Sequence, residues 1–187
     1  MAGRIFISGL AAACLMSPAT WADDADVALD FFHETCLAEG PDYDRTTELA
    51  RKESWLPASE IAALAPVQSV NAFKAWSTAV PGLRARALIG VTKSTLHGEA
   101  VDTCTVAMFD GDFGAFEHRF FLRTDAEKVS DQSDGTQVSR LYVLTTAGRK
   151  QLAKITFPAS LSNQHMIAAS SIAPRRAPVR RGGRTLH

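Results

Sequence analysis

The stretch from Arg84 to Phe109, RARALIGVTKSTLHGEAVDTCTVAMF, constrains the fold more than any other part of the chain. It reads as a β-hairpin. The first arm, 85–92, is rich in Leu, Ile and Val. The turn falls near Leu96-His97-Gly98-Glu99, where Gly98 takes a positive φ at little cost. The second arm, Val101 to Phe109, alternates. Alternation puts Cys104, Val106 and Met108 on one face and Val101, Thr103, Thr105, Ala107 and Phe109 on the other. Whatever Cys104 is bonded to is therefore fastened to this sheet.

The chain has three cysteines, Cys14, Cys36 and Cys104. Cys14 lies in a segment that reads as an export signal. Arg4 supplies a positive start, Ile5 to Met16 is apolar, and Thr20-Trp21-Ala22 offers small residues at both positions that a signal peptidase requires before Asp23. A membrane span would need about 20 apolar residues; Pro18 and Asp23-Asp24 end this run early. A lipoprotein is the alternative, because Ala12-Ala13-Cys14 loosely resembles a lipobox, although Ala11 stands where Leu is usual. Cleavage near Ala22 leaves a periplasmic or secreted chain with Cys36 and Cys104. In an oxidising compartment two cysteines most simply form one disulfide. No C-x-x-C and no His at ligand spacing favours a metal pair or a reactive thiol instead.

The remaining pattern is α+β. A first helix is expected over 23–39, with Leu29, Phe32 and Cys36 on its buried stripe and Gly40-Pro41 as its stop. A second runs to Lys52 from a cap at Asp42. Pro57 suits the first position of a short helix ending at Ala65, before Pro66. Strands are expected over 69–78, 126–132, 137–146, 149–157 and 164–172, besides the hairpin arms. Phe113, Phe116 and Phe120 recur at helical spacing, so 113–122 reads as a helix packed on the sheet. The sum is two or three N-terminal helices, disulfide-stapled to an antiparallel sheet of about five to seven strands. No internal repeat is visible. The domains are 1–22 (signal), 23–173 (a single α+β domain) and 174–187 (a disordered basic tail).

Formal net charge is zero, yet the 20 acids all lie between Asp23 and Asp134. The tail carries Arg175, Arg176, Arg180, Arg181 and Arg184 and no acid. Such a segment attracts anionic membranes or polyanions weakly, and nothing in it specifies a base sequence. Catalytic signatures are sparse. The chain has no G-x-S-x-G elbow, H-E-x-x-H or Walker loop. Asp110, Asp112 and Glu117 could in principle hold calcium, but their spacing fails an EF-hand loop; Asp112 as a helix cap, with Glu117 and His118 facing solvent, is the simpler expectation. His33 and Glu34 are adjacent on a helix and point apart. His97, in the hairpin turn, is open to a ligand. Trp55, Trp76 and the Phe113–Phe121 aromatics are expected in the core. No catalytic set, metal or cofactor is assigned.

The segment Phe31-Phe32-His33-Glu34-Thr35-Cys36, followed by Trp55-Leu56, Trp76 and Cys104-Thr105-Val106, resembles a family of small, uncharacterised exported proteins and lipoproteins of proteobacteria. The resemblance covers roughly residues 27–109. It implies an envelope location and a Cys36–Cys104 pair, and transfers no catalytic residue. The function expected is that of a non-enzymatic periplasmic binding or interaction protein, inhibitor- or immunity-like, with an envelope or periplasmic protein as partner. Two alternatives stand beside it: a small hydrolase or metal-dependent enzyme whose site assembles from distant residues, and an envelope-associated structural protein held by its Arg tail.

Overall fold

The computed structural model describes residues 24–59, 66–67, 69–109, 111–159 and 166–176. The signal segment, Asp110, most of the expected 58–65 helix, and Arg180, Arg181 and Arg184 lie outside the described residues. Helix α1 (Asp24–Phe32) continues into a π turn (His33–Leu37), and α2 (Tyr43–Lys52) follows. Then come β1 (Leu56–Pro57), β2 (Val70–Thr78), β3 (Ala87–Leu96) and β4 (Glu99–Phe109). Helix α3 (Phe113–Arg123) precedes β5 (Glu127–Ser133), β6 (Gln137–Thr146), β7 (Arg149–Pro158) and β8 (Met166–Pro174).

The strands form a single antiparallel sheet in the order β1-β2-β3-β4-β8-β7-β6-β5. The α+β class is as expected, but among the described residues the sheet has eight strands rather than five to seven. The additional strand is β1. Leu56 pairs with Ser77 and Pro57 with Trp76, so Pro57 does not open a helix but sits on a sheet edge, where its missing N–H costs nothing. The sheet is two like halves. Each consists of helix followed by a four-strand meander, and the halves meet where β4 pairs with β8, from Val101↔Pro174 to Phe109↔Met166. The sequence carries no trace of this repeated element order. Both edges are poor templates for further pairing. β1 has two residues, and β5 is studded with Glu127, Lys128 and Asp131 and breaks register between Lys128 and Ser130.

The hairpin forms as its pattern dictates. His97 and Gly98, at φ of 50° and 85°, make a two-residue turn with both residues left-handed, which matches the twist of the flanking strands. Ala147 and Gly148, at 50° and 72°, repeat that turn between β6 and β7. Cys104, Val106 and Met108 face the helices and are buried, together with Ile89 and Val91 of β3, Ile155 of β7 and Tyr142 of β6. Leu29 and Phe32 of α1 and Phe116 and Phe120 of α3 close that layer. Thr35, Cys36 and Leu37 are all buried although consecutive. An α-helix would swing one of them outward; the π turn, closed by Ala38 N–H to the His33 carbonyl at 2.8 Å, keeps all three on the sheet. Cys36 is there disulfide-bonded to Cys104, with 5.3 Å between Cα atoms.

Buried Asp102 makes a second tie. One carboxylate oxygen accepts from Tyr43 N–H at the start of α2 (3.3 Å), the other from Arg175 Nε (2.8 Å). Between α3 and the sheet, Glu117 turns inward rather than toward solvent. It accepts from the Tyr142 hydroxyl and pairs with Arg140, which also reaches Asp131 at 3.0 Å. Asp112 caps α3, accepting from Ala115 N–H at 3.0 Å.

Candidate functional site

The face of the sheet turned away from the helices is polar at its centre and apolar toward its ends. Thr92, Ser94, Thr103, Thr105 and Ser170 are all 3% exposed or less. Their hydroxyls satisfy one another: Thr92 Oγ1 lies 2.8 Å from Ser94 Oγ and 2.7 Å from Thr103 Oγ1, and Thr105 Oγ1 lies 2.8 Å from Ser170 Oγ. These pairs are a product of register. Thr92 stands opposite Thr103, and Thr105 opposite Ser170. The connection from β1 to β2 begins and ends on this face. Ala58 packs on Ala75, Leu88, Ala107 and Ala168, and Val67 packs on Val101 and Ile172.

Beside Val67, where the two left-handed turns bring the strand ends together, lies a groove of about 410 Å³. Val101, Val143, Leu152 and Ile172 form its floor, with Leu96 and Pro174 at its sides. Register again explains the grouping, because Leu152 stands opposite both Val143 and Ile172. Val101 and Ile172 are nearly covered, whereas Leu96, Val143 and Leu152 are half-buried. His97, Glu99 and Lys150 stand on the rim. None of the three has an ion pair among the described residues. An apolar floor with a few polar groups of mixed sign at its edge is the usual make-up of a site that takes an apolar group and orients it. Among the described residues the groove offers no hydrogen-bonded acid–base pair: His97 lies in the tight turn, Glu99 closes it, and no hydrogen bond joins them.

A second, more open groove of about 550 Å³ lies between α1, the end of α2 and the β2–β3 connection. Phe31 and Trp55, with ring centroids 6.4 Å apart, border it alongside Asp30, Glu34 and Glu53. Its carboxylates are exposed.

The sequence candidates fall in different places. His97 is on the groove rim, as its turn position allowed. His33 and Glu34 are not in contact through any bond, and Glu34 belongs to the second groove. Asp112 and Glu117 are committed to the α3 cap and to Tyr142 and Arg140, so they do not converge on a shared point. Among the described residues no three His, Cys, Asp or Glu side chains are grouped as a metal site would require. Most of the aromatics are core, but Phe121 is 40% exposed and Leu122 beside it 69%. Arg175 is not part of a free tail; it extends β8 and is held by Asp102, and its N–H donates to the Ala100 carbonyl at 2.9 Å. Sequence reasoning missed the groove floor, whose residues come from β4, β6, β7 and β8 and meet only through strand order. No protein-family model, curated protein or solved structure matches the chain.

Proposed function

We propose that the chain is a non-enzymatic binding protein of the cell envelope, exported and disulfide-stapled, which docks an apolar segment of a protein partner in the groove between the β3–β4 and β6–β7 turns. The observation that carries this reading is the half-buried floor residues Val143 and Leu152 and the half-buried side residue Leu96, framed by rim groups of both signs that have no ion pair among the described residues. Exposed apolar residues gathered into a concavity mark interaction sites more often than single exposed ones do. The scaffold suits the role: each rim turn is held by a long antiparallel ladder, and the helices are clamped to the opposite face by Cys36–Cys104. An inhibitor- or immunity-like role belongs to this class. The resemblance to small exported proteobacterial proteins agrees with the proposed location.

A photo-crosslinking residue placed at position 96, on the groove wall, should capture a discrete envelope protein. The same residue at position 128, on the charged edge strand β5, should not. Equal capture from both positions, or none from position 96, would remove the groove from the proposal.

A further inference from the structure

Four arginines gather where the π turn passes into α2, and they are not equivalent. Arg45 is paired with the Glu39 carboxylate at 2.6 Å, and Arg175 with Asp102 at 2.8 Å. Among the described residues the other two have carbonyl partners alone. Arg149 donates through Nη1 to the Glu39 carbonyl (2.8 Å) and through Nη2 to the Pro174 carbonyl (3.0 Å). Arg176 donates through Nη2 to that same Glu39 carbonyl (3.0 Å). Among the described residues neither has an ion pair.

A cation at the carbonyl end of a helix is favourable, and one guanidinium there would serve. A second on the same oxygen adds repulsion and satisfies no further acceptor. Arg149 registers the crowding: its pKa lies below the ordinary arginine value, through burial first and then through Arg176 and Arg45, with Asp42 and Asp102 offsetting part of the effect. The nearby Asp42 carboxylate is occupied in capping α2 through Arg45 N–H at 2.9 Å. Each guanidinium carries five N–H donors in a planar fork, and among the described residues Arg149 engages two of its nitrogens and Arg176 one.

We propose that Arg149 and Arg176 form a binding site for a phosphoryl oxyanion, which bridges the two forks and supplies the negative charge that the fold leaves out. Neither arginine lines the apolar groove, although the Pro174 carbonyl that Arg149 holds belongs to a residue at the groove's side, and failure of this site would leave the groove reading as it stands.

The test uses the mature chain with its disulfide intact and inorganic phosphate as probe, titrated at constant ionic strength. Binding is expected to saturate. Arg176→Gln, at an exposed residue with one hydrogen bond, should keep the fold and weaken phosphate binding about tenfold, the usual worth of a charge-assisted contact. Arg149→Gln should weaken it at least as much where it folds, and Arg149→Lys should recover part of the loss. Deleting residues 177–187 should leave phosphate affinity within about twofold. Vesicles containing phosphatidylglycerol that compete with phosphate would place the phosphoryl group on a lipid; phosphate binding without vesicle binding would place it on a soluble ligand. Non-saturable phosphate binding by the unaltered chain, unchanged affinity in Arg176→Gln, or loss of affinity on tail deletion would overturn the proposal.

Discussion

Replacing Cys36 and Cys104 together by alanine should cost the fold a large share of its stability. The bridge joins positions 68 apart in sequence, and closing a loop of that size in the unfolded chain is worth about 4 kcal/mol in the chain-entropy model. Both cysteines are fully buried between the π turn and β4, so the lost sulfur contacts add about 1 kcal/mol more. A domain of this kind has about 5–15 kcal/mol in all. Urea unfolding followed by fluorescence reports directly on the region concerned, because Trp55 and Trp76 lie edge to face with centroids 6.3 Å apart, and Trp55 touches Phe31 of α1. The midpoint should fall sharply, and the denaturant slope should rise, since an uncrosslinked chain exposes more surface on unfolding. A loss below about 1 kcal/mol would refute the reasoning. It would mean that packing of Leu29, Phe32 and Leu37 alone holds the N-terminal helices in place.

Other perturbations separate the remaining parts of the account. Glu117→Leu should destabilise by about 2–3 kcal/mol, because it leaves the buried Tyr142 hydroxyl without its acceptor; chemical denaturation measures it. The Tyr142 phenol is held above the ordinary tyrosine value of 10.0 by burial first and by Glu117 second. A folded-state pKa that is raised contributes stability below the ordinary value and loses it as pH climbs past it. Melting temperature should therefore drop above about pH 10, and Tyr142→Phe should flatten that drop. Asp102→Ala should cost about 2 kcal/mol, discounted because Arg175 is one-third exposed, and should loosen residues 174–176 in hydrogen exchange. Gly40→Ala should cost about 1 kcal/mol, since Gly40 sits at φ +75° and an added Cβ would also push on Arg149 Nη1 2.5 Å away; urea unfolding reads the cost.

Local chemistry was readable wherever it depends on neighbours in sequence. Asp42 and Asp112 are caps, Gly98 makes its turn, and alternation placed Cys104 on the helix-facing side. β1 was not readable, because two residues carry no period and the pairing of Pro57 is decided by Trp76. Helical periodicity runs unbroken to Glu39, and the π turn that buries Thr35, Cys36 and Leu37 together has no sequence signature. Glu117 looked like a solvent residue because helical spacing did not show that Arg140 and Tyr142, two apart on β6, would come to lie beneath it. The groove and the arginine pair are the extreme case. Val101, Val143 and Leu152, like Arg149 and Arg176, are brought together by the placement of β8 between β4 and β7, and a strand order is not a local property.

The most direct test of the central claim is capture from envelope extract with three disulfide-intact baits: the mature chain, the same chain without residues 177–187, and a Val143→Glu/Leu152→Glu variant. Both substituted positions are half-buried at the groove surface, with room for the added carboxylates to reach solvent, so the fold should survive the added charge. The groove reading predicts one discrete partner held by the first two baits and released by the third. A partner held equally by the groove variant, or only by baits that keep the basic tail, would contradict it.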